Sequence, residues 1–123
     1  MRISLKELFV YRQYTDGPVY NYFDRKTYTV CWEAQLDNEQ NAPYIRYIPL
    51  FQVDEQALQN EFIQGYMPKG AWRKFLECPF CFEEFMQRNN EWYHWWDFYK
   101  KAVCDIARQW CVENHIAFVD EVP

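Results

Sequence analysis

The stretch NNEWYHWWDFYKKAVCDIARQWCVENH, residues 89–115, constrains the fold more than any other part of the chain. Trp92, Trp96, Tyr99, Val103, Ile106 and Trp110 recur in it at spacings of 4, 3, 4, 3 and 4. That is the repeat of one helical face, so a long amphipathic C-terminal helix is predicted. At about 1.5 Å per residue it runs for ~36 Å, and the rest of the fold must pack along it. Its aromatics exceed what one stripe needs, because Trp92, Tyr93, Trp95, Trp96, Phe98 and Tyr99 cover more than one face. The surplus, Trp95 and Phe98 above all, is read as available to line a pocket or a subunit interface. The competing reading is that other elements cover both sides of this helix.

The preceding segments are shorter. In ISLKELFVYRQY, Ser4 and Glu7 have capping-box spacing. Ser4 is expected to accept from the amide of Glu7 while Glu7 reaches back to the amide of Ser4. Leu5, Leu8 and Phe9 mark the buried face of a first helix over roughly 5–13, ended by the turn-forming TDG at 15–17. VYNYFDRKTYTVCWE reads as a hairpin, with Asp24, Arg25, Lys26 and Thr27 as the turn and Tyr20, Tyr22, Tyr28, Val30 and Trp32 on the strands. A polar loop over 35–43 leads to a third strand over 44–50, in which Pro49 marks an edge or an end. Residues 55–64 are predicted helical, capped by Asp54 and stopped near Gly65, and a short helix starts at Ala71. The fold class expected is α+β: one domain over 1–123, a small antiparallel sheet (hairpin plus one strand) packed by about four helices.

The order of these pieces is similar to that of the bacterial uncharacterised protein family 0158. The resemblance spans roughly residues 18–118 and is carried best by GAWRKF at 70–75 and by EWYHWWDFYKKAVCDIARQWCVENHI at 91–116. Two features depart from the family pattern. Cys78-Pro79-Phe80-Cys81 is not part of it, and His115 stands where a glycine is usual. The family has no assigned reaction, so the resemblance carries no catalytic residue onto this chain.

Composition excludes more than it assigns. The formal charge of −5 argues against nucleic acid as the main partner. No apolar run is long enough for a membrane span or a signal peptide. An odd count of 5 cysteines lacks the pairing of a secreted disulfide scaffold, so the cytoplasm is the expected compartment. The 3 glycines are too scattered for a phosphate-cradling loop. Ser4 is the only serine and already caps a helix, which leaves no nucleophile for a Ser-His-Asp triad. His94 and Asp97 have acid–base chemistry in principle, but nothing in their spacing sets them apart.

Three candidate sites follow. Cys78 and Cys81 have the spacing of a redox pair or a zinc knuckle, against which stands a helix that starts at Pro79 with cysteines packed as small hydrophobes. Cys111 and His115, four apart on a helix, would complete a Cys₃His zinc set with Cys78 and Cys81. Lys69, Arg73 and Lys74, around the start of a helix, suit an anion such as phosphate or a nucleotide, or an acidic partner. Taken together, the residues point to a non-enzymatic cytoplasmic binding domain with no catalytic residue, no cofactor and no membrane contact. Its partner is expected to be another protein or a copy of itself. Contact through Trp95 and Phe98, with Lys69, Arg73 and Lys74 supplying polarity, is the expected mode. An anion-binding module or enzyme at the basic patch, and a zinc-stabilised domain, are the alternatives.

Overall fold

The computed structural model describes residues 1–33 and 46–123. The loop predicted over 35–43, with Tyr44 and Ile45 of the predicted third strand, lies outside them. Among the described residues the chain is α+β, with five helices, a three-stranded antiparallel sheet and two short parallel strand pairs. Contacts gather into two compact units, Met1–Val53 with Val103–Pro123, and Asp54–Ala102.

The first unit opens with β1 (Ile3–Ser4), which pairs in parallel with β7 (Phe118–Val119). Helix α1 (Leu5–Val10) buries Leu5, Leu8 and Phe9, the face that the spacing predicts. Ser4 does cap it, but Oγ accepts from the amide of Lys6 at 3.1 Å instead of that of Glu7. The Ser4 hydroxyl itself donates to Glu121 Oε2 at 3.2 Å. The helix ends short of residue 13 because β2 (Gln13–Tyr14) pairs in parallel with β6 (Gln52–Val53). Two residues of sheet, set by a partner nearly forty positions away, override a local helical pattern.

Strands β3 (Asn21–Asp24), β4 (Thr29–Trp32) and β5 (Tyr47–Pro49) form the antiparallel sheet in the order β4-β3-β5. In its register Phe23, fully buried, faces Val30 on one side and Ile48 on the other. The hairpin and third strand are where the sequence puts them, but Tyr28 belongs to the turn. Its backbone is left-handed, at φ 60°, and its amide donates to the Asp24 carbonyl at 2.7 Å. A left-handed aromatic residue is strained unless tertiary contacts hold it. Here the ring meets Phe23 edge-on at 4.9 Å, and the hydroxyl accepts from the amide of Ala117.

Among its described residues this unit buries two polar side chains, Gln13 and Asp24. Gln13 Oε1 accepts from the amides of Tyr20 and Asn21, both at 3.0 Å, while Nε2 donates to the carbonyls of Leu50 at 3.1 Å and Asn21 at 3.3 Å. Asp24 takes Arg46 in a two-point contact, Nε to Oδ1 at 3.0 Å and a terminal nitrogen to Oδ2 at 3.1 Å. That hydrogen bond holds the Asp24 carboxyl below its ordinary value against the opposing effect of burial.

The second unit is helical. Helix α2 (Glu55–Gly65) starts where Asp54 Oδ1 accepts from the amide of Ala57 at 3.0 Å, and it stops at the predicted glycine. Helices α3 (Ala71–Leu76) and α4 (Phe82–Arg88) follow, then the start of α5 (Trp92–Glu113). The Cys78–Cys81 stretch joins α3 to α4, a helix boundary. The new helix begins at Phe82 with Cys81 as its N-cap, and not at Pro79.

With 22 residues, α5 is about 33 Å long and is the predicted dominant element. Its most buried line is Trp95, Tyr99, Val103, Cys104, Ala107 and Cys111. Trp92, Trp96 and Ile106, expected on the buried stripe, are only half-buried. The largest side chains suggested one line, whereas small residues at 104, 107 and 111 occupy the centre of the packed face. Both α4 and α5 end in the same hydrogen-bonded motif. The Glu91 amide reaches the Met86 carbonyl and the Asn90 amide that of Gln87; the Ile116 amide reaches Cys111 and the His115 amide Val112. Asn90 at φ 57° and His115 at φ 56° hold the left-handed position of each motif.

Candidate functional site

Beyond Val103, α5 presents two adjacent ridges. Asp105, Gln109 and Glu113 lie at intervals of four, and Ile106 and Trp110 do the same beside them. Phe51, in the link between β5 and β6, faces the apolar ridge and meets the Trp110 ring at 5.9 Å and 63°. These six residues line an open groove of about 400 Å³ within the first unit. Trp110 is fixed from behind: its Nε1 donates to the Pro49 carbonyl at 3.2 Å and its ring stands edge-on to Phe23 at 6.1 Å. The floor of the groove is mostly carbon, with Trp110 tied to the sheet.

The polar rim is anionic at both ends. Asp105 and Glu113 are eight residues apart, about 12 Å along the helix. Arg108 donates to Asp105 Oδ1 at 2.5 Å and to Asp120 Oδ1 at 2.7 Å, leaving that trio with one net negative charge. Glu113 Oε1 accepts from Gln109 Nε2 at 3.0 Å and has no cation partner among the described residues. Among the described residues, Cys, His, Ser and Lys are absent from the lining. What the arrangement offers is seating for an apolar side chain, with a cation at the Glu113 end.

The sequence-derived candidates fall elsewhere. Lys69, Arg73 and Lys74 are exposed around α3, none of them ion-paired among the described residues. Helix α3 has six residues, and its N-cap is Gly70 in the left-handed conformation. Trp95 is 4% exposed, enclosed by Phe62, Phe82, Phe98 and Tyr99 at centroid distances of 4.7–6.0 Å, so it has no surface to present. Phe98 is half-buried against Phe62 at 5.4 Å and Tyr66 at 5.0 Å. The surplus aromatics thus complete the core of the second unit, and the exposed ring on the helix is Tyr93, at 84%.

The four proposed zinc ligands divide between the two units. Cys78 and Cys81 belong to one unit, Cys111 and His115 to the other. Among the described residues no three His, Cys, Asp or Glu side chains are placed to hold a metal ion. The four-residue spacing also fails locally, since α5 stops at Glu113 and His115 lies in the turn beyond it. Cys111 is fully buried, and burial pushes its thiol up to about 11. His94 Nδ1 lies 2.9 Å from Glu91, and Asp97 accepts from Lys101 at 3.0 Å, a bond that lowers its carboxyl from the ordinary value. Both are solvated helix pairs. Among the described residues no helix is long and apolar enough to cross a membrane.

Sequence reading missed the groove. The repeats 105/109/113 and 106/110 were legible and would have marked a half-polar, half-apolar face, but Phe51 carries no such signal. No family model, curated protein or solved structure matches the chain.

Proposed function

We propose that this chain is a non-enzymatic binding domain whose groove between Phe51 and the C-terminal half of α5 takes a short segment of a protein partner. The observation that carries this reading is the pairing of an apolar floor with a carboxylate, Glu113, that lacks a cation among the described residues. The segment that fits carries an aliphatic or aromatic side chain for the floor and an Arg or Lys one turn away. Burial of the side chain supplies affinity and the charge sets orientation. The likeness to uncharacterised family 0158 is part of the proposal. The glycine usual in that family falls at residue 115, where this backbone is left-handed, the conformation glycine adopts without strain.

Fluorescence anisotropy of a labelled peptide containing Arg-x-x-Leu tests the reading. Saturable binding is expected, weakened at least about tenfold by Ile106→Asp or by Glu113→Lys, the size typical of a lost anchor or charge pair. Equal binding by the wild type and the Ile106→Asp variant would overturn it, as would no binding at all.

A further inference from the structure

We infer that the segment seated in the groove is α3 of a second copy of this chain. The inference rests on the groove being a binding site and adds the identity of its occupant. Leu76 is a large apolar side chain left 64% exposed on α3, and Arg73 sits one turn before it on the same face. Lys69 and Lys74 flank the pair, both exposed. In the same unit Arg88 is taken by Glu84 at 3.1 Å and Lys101 by Asp97 at 3.0 Å, and Lys100 lies over the Trp96 ring at 5.9 Å. Lys69, Arg73 and Lys74 have no such partner among the described residues.

The two surfaces complement each other in kind. One offers an exposed aliphatic side chain beside cations unpaired among the described residues; the other offers a carbon floor beside a carboxylate unpaired among them. A chain of net charge −5 repels its own copies, so self-association requires a local patch of opposite sign. The α3 corner is such a patch. Leu76 enters over Ile106 and Trp110, and Arg73 is delivered to Glu113.

Sedimentation velocity across a concentration series tests this with three variants at exposed positions. The wild type is expected to gain mass with concentration. Arg73→Glu and Glu113→Lys are each expected to weaken self-association at least about tenfold, and the double variant to restore most of it, since reversing both charges regenerates the pair. A chain that stays monomeric at all concentrations, or one whose association ignores both single reversals, overturns the inference. The Arg-x-x-Leu peptide separates the two levels. Peptide binding by a strictly monomeric chain removes the second copy and keeps the groove, whereas absence of both removes both.

Discussion

In the unit built from Met1–Val53 and Val103–Pro123, buried polar side chains fasten the backbone, whereas in Asp54–Ala102 rings pack on rings. Strands of two to four residues leave backbone groups that a sheet of this size cannot pair, and Gln13 alone serves four of them. The helices of the other unit satisfy their own amides and carbonyls, so their interior can be apolar throughout, with rings at its centre. Trp95 there touches four rings and Phe62 touches three, with no buried polar contact needed. The lesson is that short strands need polar side chains inside, and helices of similar burial do not. Among the described residues no buried side-chain nitrogen or oxygen lacks a partner.

Trp95→Ala is the most damaging change expected. It opens a cavity at the centre of the ring cluster and costs about 3–5 kcal/mol, read from urea unfolding. The contrast between the units is tested by Gln13→Leu against Met86→Leu, both fully enclosed positions. The first strands the amides of Tyr20 and Asn21 and the carbonyl of Leu50, and is expected to cost about 2–4 kcal/mol. The second keeps volume and loses no hydrogen bond, so it is expected to cost under about 1.5 kcal/mol. Equal costs would break the comparison.

A pH series sharpens it next. The Arg46 bond depresses the folded carboxyl of Asp24 below its ordinary value. The stability it contributes is therefore present above the unfolded value and is lost as pH falls through the folded one. Asp24→Asn is expected to flatten the acid limb of the urea midpoint, while Asp97→Asn, on an exposed pair, leaves that limb nearly unchanged. The smallest effect concerns the two helix ends. His115→Gly relieves a left-handed residue at the end of α5 and is expected to gain about 0.5–1 kcal/mol, and Asn90→Gly at the end of α4 less, because asparagine tolerates that backbone. Thermal midpoints of the two variants check the ranking.

The candidate site was only half legible. Ile106 and Trp110 belonged to the helical stripe, and the Asp105–Gln109–Glu113 ridge was there to be counted. Phe51 enters through its place between β5 and β6, which no local pattern encodes. Trp95 and Phe98 looked like spare surface because a count of rings on a helix says nothing about how many elements surround it. Cys111 and His115 had the spacing of helical ligands, but α5 stops at Glu113 and His115 lies in the turn beyond it.

By itself the sequence determined the long helix, the hairpin with its third strand, the Asp54 cap and Gly65 stop of α2, and the helix boundary at Cys78–Cys81. Each depends on spacing or chemistry within a few neighbouring residues. Tertiary structure decided the rest. It ended α1 early to pair Gln13–Tyr14 with Gln52–Val53, turned Tyr28 left-handed against Phe23 and Ala117, and buried the line through Cys104, Ala107 and Cys111 in place of the larger stripe. Those outcomes are set by partners distant along the chain, and a partner's position is known only once the chain has folded.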